Sequence, residues 1–243
     1  MPTARVHIDQ TLQGQASIEL AQGQSHYLLR VLRLRAGAKV VLFDGNGLEY
    51  PGEIIAADAR AGCRVRLEAA RTPAVESSLE VSLIQAIGRG DRMDWCVQKA
   101  TELGVARIQP VFTHRTEVRL DHQRARKRRE HWQQVAVSAA EQSGRVRVPE
   151  IDQPVSLEDV PTPLSPGFYL DPAAALTVRS MTTPVPPRCA VIVGPEGGLT
   201  ESETGRLERN GWRGLKLGPR ILRTETAGPA VLAVLQSHFG DLA

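Results

Sequence analysis

The tightest constraint on how this chain folds lies near its carboxyl end, where strand, glycine-rich loop and helix follow one another twice. In RCAVIVGPEGGLTESETGRLERNGW an apolar run leads into a loop and then a polar helix, whose start is marked by Thr200 and Glu203 at capping-box spacing. Gly194, Gly197 and Gly198 strip side chains from that loop at the carboxyl end of a buried strand, the place where open α/β sheets bind ligands. The loop lacks both the Lys-Ser/Thr of a phosphate-binding loop and the dinucleotide fingerprint spacing, which argues against ATP and NAD. Taken alone, the pattern also fits a tight structural turn. GLKLGPRILRTETAGPAVLAVLQSHF then repeats the arrangement: a short strand over 215–217, a loop, and a closing helix capped by Thr224 or Thr226, with Pro229 tolerable only in its first turn. In that loop Arg220, Arg223 and Glu225 crowd beside Ile221 and Leu222. Loops avoid paired aliphatics, so these residues should face a pocket or another chain; the alternative is a surface ion pair over two core residues.

The remainder divides in two. Residues 1–72 read as a small β module. KVVLFDGNGLEYPGEII is its clearest hairpin, with strands over 40–43 and 48–55 and with Pro51 implying an edge or a bulge, and CRVRLEA alternates with period two as a further strand. SHYLLRVLRLRAG suggests a short helix that ends at Gly37 and carries Arg30 and Arg33 on one face. The small, proline-punctuated stretch TPAVESS, residues 72–78, marks the domain boundary, and residues 73–243 alternate strand and helix. LEVSLIQAI fits a strand buried on both faces. After it, Asp91 with Asp94 can cap a helix that Gly104 ends; RIQPVF is a strand, and Asp121 opens a long helix lined by Trp132, Val135, Ala136, Ala139 and Ala140. GFYLD is another strand within the proline-rich stretch 155–187. With 42% apolar residues but only 4% aromatic ones, the cores must rest on Ala, Val, Leu and Ile, which suits an α/β protein.

Net charge is only +3, yet the basic residues are clustered. Arg115, Arg119, Arg124, Arg126, Lys127, Arg128 and Arg129 share one stretch, and Arg30, Arg33, Arg35 and Lys39 another. Each cluster fits a solvated face or an RNA phosphate track, and cations early in a helix are mildly unfavourable unless something offsets them. Cys63, Cys96 and Cys189 lack the spacing of a zinc site or a disulfide framework and read as buried thiols, and the six histidines form no metal motif. No apolar run reaches membrane-spanning length, and the expectation is a cytoplasmic protein without membrane or metal.

GPEGG followed by an acidic helix, and then LGPRILRTETA, resembles the signature of the 16S rRNA uridine-N3 methyltransferases, a family of the SPOUT class. HYLLRVLRLRAG, LFDG, QKATELGV, EQSGRVRVPEI and FGDL extend the resemblance over nearly the whole chain. It implies an N-terminal PUA-like β-barrel that binds RNA, a C-terminal α/β domain with a trefoil knot, S-adenosylmethionine as donor, a homodimer, and N3 of U1498 in 16S rRNA of the small ribosomal subunit as target. Carried over by position, it implies a donor pocket built from Leu170, Asp171, Gly194, Glu196, Gly197, Gly198, Leu217, Gly218, Ile221, Leu222, Arg223 and Thr226. For the chemistry, Arg220 or Arg223 would polarise the uracil carbonyls with Glu225 as the nearest carboxylate, while Arg30, Arg33, Arg124, Arg126, Lys127 and Arg128 would grip phosphates. Two alternatives are a SPOUT-type ribose 2′-O-methyltransferase and a non-catalytic RNA-binding protein.

Overall fold

The computed structural model describes residues 3–58, 62–163, 165–181 and 187–242, so residues 182–186 of the proline-rich stretch lie outside the described residues. The chain forms two compact units, one of residues 1–76 with 140–148 and one of residues 77–139 with 149–243.

The first unit is built on strands β1 (Ala4–His7), β2 (Ser17–Glu19), β3 (Lys39–Phe43), β4 (Glu49–Asp58) and β5 (Gly62–Leu67), in the order β1-β3-β4-β5-β2. The period-two pattern sends Val40, Leu42, Tyr50, Ile54, Cys63 and Val65 into one core. Pro51 departs from the sequence expectation. It pairs with Val41 inside β4, which lies between β3 and β5 and is no edge; the register irregularity falls at Ile54/Ala56 instead. The missing amide is tolerated while the Pro51 carbonyl still accepts from the Glu68 amide at 2.8 Å.

The helix expected to end at Gly37 also differs. Helix α1 (Gln22–His26) widens into a π-helical turn over Tyr27–Val31 and closes at Leu32, where Arg33 takes the left-handed position at φ 56°. The Leu34 amide reaches back to the Leu28 carbonyl at 2.9 Å, so the stop is made by the chain reversal that buries Leu28 and Leu29, four residues before Gly37.

Residues 73–76 and 140–148 belong with the first unit for a local electrostatic reason. The Glu76 carboxylate accepts from Arg145 Nη2 at 2.7 Å and from the amides of Val146 and Arg147, each at 3.0 Å. Phe43, Ala140 and Val146 pack into a small cluster beside that carboxylate system.

The second unit holds a parallel sheet of β6 (Glu80–Ala86), β7 (Arg107–Phe112), β8 (Glu150–Ile151), β9 (Val155–Ser156), β10 (Gly167–Leu170), β11 (Arg188–Val193) and β12 (Arg213–Leu215). Its order is β12-β10-β11-β6-β7-β8, with β9 also on β7. β6 lies between β11 and β7 and is buried on both faces, as its unbroken apolar run requires. The last strand covers 213–215, two residues earlier than the sequence pattern indicated, which frees Leu217 for the loop beyond.

Helices α2 (Arg92–Glu102), α3 (His122–Ser143), α4 (Glu201–Arg209) and α5 (Thr224–Phe239) complete the chain. Asp91 makes no side-chain cap on α2, and the Asp94 carboxylate faces α3 instead: it receives His131 Nε2 at 2.6 Å and Trp132 Nε1 at 3.1 Å. Asp121 does cap α3, accepting from the Arg124 amide at 2.8 Å. Pro229 lies beyond the first turn of α5, contrary to expectation, in a helix whose Ala227, Val231, Leu232 and Leu235 are buried. Tertiary packing there outweighs the lost backbone bond.

α5 packs against α2 and β6 so closely that a Cβ on Gly228 would stand 2.8 Å from Gln85 Oε1 and 3.2 Å from Cys96 Sγ. Gly228→Ala is therefore expected to cost about 1–3 kcal/mol of folding stability, read as a lower urea midpoint. An unchanged midpoint would mean that α5 does not approach this tightly.

Candidate functional site

Because the strands of the second unit run parallel, the loops after β6, β7, β10, β11 and β12 leave the sheet along one edge. There they enclose a cavity of about 740 Å³. The end of β10 and the residues after it supply Leu170, Asp171 and Pro172; the end of β11 and the loop after it supply Val193, Gly194, Pro195, Glu196, Gly197, Gly198 and Leu199; and the loop after β12 supplies Leu217, Gly218, Arg220, Ile221, Leu222 and Arg223. Arg89, Arg92 and Glu117 close one wall, and Thr224 and Ala227 of α5 contribute from beneath.

The glycine loop is held from several directions. The Gly198 amide donates to the Pro195 carbonyl at 2.9 Å, and the tight turn needs Gly198 at φ 71°. Arg115 Nη1 donates to the Gly197 carbonyl at 2.7 Å, so this arginine is committed to the loop. The capping box expected at Thr200 is present: the Thr200 amide donates to Glu203 Oε2 at 2.7 Å and the Glu203 amide to Thr200 Oγ1 at 3.2 Å. Glu203 takes the His114 amide as well, at 2.8 Å.

Beneath the loop runs a buried polar chain. Cys96 Sγ lies 3.4 Å from Gln85 Oε1, Gln85 Nε2 donates to Thr224 Oγ1 at 2.9 Å, and Thr224 Oγ1 donates to the Gly194 carbonyl at 2.7 Å. Gln85 is 1% exposed, so these bonds form where water cannot replace them. Burial, with the Glu225 charge adding to it, pushes the Cys96 thiol up to about 12, which keeps it a neutral donor.

Charge at the rim is ordered by the same loops. Glu196 ion-pairs with Arg92, and Arg89 with Glu117. Burial works against the Glu196 charge, but backbone amides and the Arg92 guanidinium outweigh it and hold the carboxyl below its ordinary range. Glu203 shows the same balance, with burial opposed by the Thr200 and His114 amides. A carboxyl lowered on folding contributes stability that is complete above its unfolded pKa and is lost as pH falls through the folded value.

The structure gathers Leu170, Asp171, Gly194, Glu196, Gly197, Gly198, Leu217, Gly218, Ile221, Leu222 and Arg223 around one cavity, together with Arg220. Thr226 is outside it, exposed on the outer side of the first turn of α5, and Thr224 occupies the place expected for it. No side chain caps α5; Thr224 spends its hydroxyl on Gly194 instead. Glu225 also lies outside the lining, with its side chain 17% exposed and Oε2 buried without a hydrogen-bond partner. Ile221 is 85% exposed, so the loop presents an apolar side chain at the cavity mouth.

Sequence reasoning passed over Arg89, Arg92 and Glu117. The signal was available for the first two, because GRGDR follows the carboxyl end of the central strand. Among the basic residues, Arg30, Arg33, Arg124, Arg126, Lys127 and Arg128 are all exposed. Arg124 Nε lies 3.5 Å from Asp121 and Arg126 Nε 3.6 Å from Glu130, surface pairs that salt would screen. Among the described residues no helix is long and apolar enough to cross a membrane, and no group of metal-ligating side chains is assembled.

A family model described as an RNA methyltransferase domain matches residues 75–236, and one described as an RNA methyltransferase PUA domain matches residues 20–63. The ribosomal RNA small subunit methyltransferase E of Buchnera aphidicola subsp. Schizaphis graminum is 30% identical over 98% of this chain and 97% of its own length. That of Bacillus subtilis is 30% identical over 83% of this chain and 82% of its own. The solved ribosomal RNA small subunit methyltransferase E of Neisseria gonorrhoeae, bound to S-adenosyl methionine, superposes with a TM-score of 0.91 at 33% identity over 99% of this chain and 100% of that one. A Legionella pneumophila protein in complex with the bound cofactor SAM also gives 0.91, at 35% identity over 100% of both chains.

The two threonines separate by role. Thr224→Val keeps the volume but removes the hydroxyl between Gln85 and Gly194, and should cost about 1–3 kcal/mol in chemical unfolding. Thr226→Ala should stay within about 0.5 kcal/mol of the unsubstituted protein. Equal effects would contradict the assignment of Thr224 as the buried tie.

Proposed function

Because the chain belongs to the family of RNA methyltransferases that includes the ribosomal RNA small subunit methyltransferases E, we propose that its strand-end cavity binds S-adenosylmethionine for methylation of N3 of a uridine in 16S rRNA. The coarser activity, methylation of ribosomal RNA from this donor by a SPOUT-type α/β domain joined to a PUA-like domain, follows from membership. The observation that carries the finer reading is the convergence of the loops after β10, β11 and β12 on one cavity whose lining includes Arg220 and Arg223, two arginines that form no ion pair among the described residues.

The residues fit the donor. The glycine loop brings backbone to the cavity wall, and it folds back on itself closely enough that a Cβ on Gly194 would stand 3.2 Å from Leu199 Cγ. Leu170, Leu217, Ile221 and Leu222 supply aliphatic walls suited to a purine ring, and the Asp171 and Glu196 carboxylates supply negative charge suited to a sulfonium. When bound, the donor presents an electrophilic methyl group. The chain must then hold an unstacked uracil in line with it and ease the loss of the N3 proton. Arg220 and Arg223 donate hydrogen bonds to the uracil carbonyl oxygens, which stabilises the negative charge that develops on the ring as the proton leaves. Glu225, outside the lining, does not serve as the proton acceptor in this scheme, and N3–H is acidic enough once so polarised to release its proton to water. Arg30, Arg33, Arg124, Arg126, Lys127 and Arg128 engage phosphates and set register. The proposal includes the trefoil crossing of the family and a homodimer, in which the partner copy covers the exposed Ile221.

Cells lacking the protein should lose 3-methyluridine from small-subunit RNA and nothing else. Loss of an alkali-stable ribose-methylated dinucleotide would assign the 2′-O activity instead, and unchanged nucleosides with intact RNA affinity would leave an RNA-binding protein. Arg223→Ala should lower kcat by about 10²–10³-fold with donor binding retained, and full turnover would remove the arginine from the mechanism. Each neutralised basic residue of the phosphate track should flatten the slope of log affinity against log salt by about 0.7–0.9. A slope indifferent to all of them would place the RNA elsewhere.

A further inference from the structure

The cavity wall holds a cation in a place that helix electrostatics disfavours. Arg92 is the first residue of α2, where a positive charge meets the positive end of the helix dipole. Two carboxylates offset this. Arg92 Nη1 pairs with Glu196 Oε1, in the glycine loop, and Arg92 Nε lies 3.8 Å from Glu225 Oε1, in the first turn of α5. Among the described residues Arg92 is the ion-pair partner of Glu225, whose other oxygen is buried with no hydrogen-bond partner. Without the guanidinium, Glu225 would be a largely buried carboxylate balanced only by the amino end of α5. The loop before α2 is shaped for this approach: a Cβ on Gly88 would stand 3.2 Å from Arg92 Cβ and 3.7 Å from Thr224 Cγ2.

The geometry of α5 extends the consequence to the reacting end of the cavity. The Arg223 carbonyl accepts from the amides of Thr226 and Ala227, both at 2.9 Å, so the first turn of α5 fixes the backbone of Arg223. Whatever holds Glu225 therefore also orients the segment that carries Arg220 and Arg223. The guanidinium is suited to the task, because its planar fork can address two carboxylates at once where an ammonium addresses one geometry at a time.

We propose that Arg92 is a positioning residue for methyl transfer, joining the glycine loop through Glu196 to the first turn of α5 through Glu225, so that donor seating and placement of Arg223 are set together. The inference rests on the reading of the cavity as the donor site. Glu225 is the informative handle, because it lies outside the cavity lining and so makes no contact with a molecule bound there.

The test uses the full chain, with S-adenosylmethionine affinity by calorimetry, kcat and donor KM on small-subunit RNA, and the urea midpoint. E225Q, close to isosteric, is expected to fold and to weaken donor affinity about threefold to tenfold while lowering kcat by a similar factor, the signature of coupled sites. R92K is expected to fall between E225Q and the unsubstituted protein. R92A can fail to fold because it strands Glu225, and R92A/E225Q removes that stranded charge; this double variant should be no worse than the larger of its single effects. E225Q and R92K that both keep the original donor affinity and kcat would overturn the proposal. A loss of kcat in E225Q with donor affinity unchanged would overturn it too, and would return Glu225 to a proton-handling role. If the unsubstituted protein neither binds the donor nor transfers a methyl group, the donor-site reading fails, whatever the variants do.

Discussion

The arrangement depends on one buried hydroxyl. Thr224 donates to the Gly194 carbonyl and accepts from Gln85, so the last helix, the glycine loop and the central strand are joined at one oxygen atom in a place water does not reach. A parallel sheet sends its loops to one edge but does not fix their mutual distances. That requires a tie across them, and a buried hydrogen bond is directional in a way that apolar packing is not. The cavity walls then follow: the glycine loop sits over α5, and the arginine-bearing loop ends where α5 begins.

The acidic and basic groups at the rim add a second level of order. Glu196 is held ionised against burial by amides and by Arg92, and Glu203 by the amides of Thr200 and His114. In both cases a carboxylate near a loop or helix start consumes backbone donors that would otherwise be orphaned, so local folding and local charge are the same fact seen twice. Arg220 and Arg223 pair with no carboxylate among the described ion pairs, which leaves their charge available to a ligand.

The two strand–loop–helix units were legible in the sequence because their signals are local: a strand-length apolar run, glycines, and a Thr-x-x-Glu start. The hairpin at 39–58 was legible for the same reason. What was not legible depends on partners distant in sequence. Pro51 reads as an edge residue until β5 is known to lie beyond β4, and Pro229 reads as a helix-start residue until the burial of α5 is known. Thr224 and Thr226 are equivalent as caps, and only the Gly194 carbonyl, thirty residues away in sequence, distinguishes them. The naming of a donor, and the choice of Leu170 and Asp171 as contributors, came from resemblance; the residues alone gave ligand-binding loops without a ligand. The position of Arg92 after the central strand was legible, but its partners Glu196 and Glu225 lie more than a hundred residues away in sequence.

In the proposed function, three loops at one edge of a parallel sheet form the donor site. A crystal structure of this chain grown with S-adenosylmethionine tests it most directly. The donor is expected between the glycine loop and residues 217–222, with its adenine among Leu217, Ile221 and Leu222. Donor density at any other place on the chain, or none at saturating donor, would contradict it.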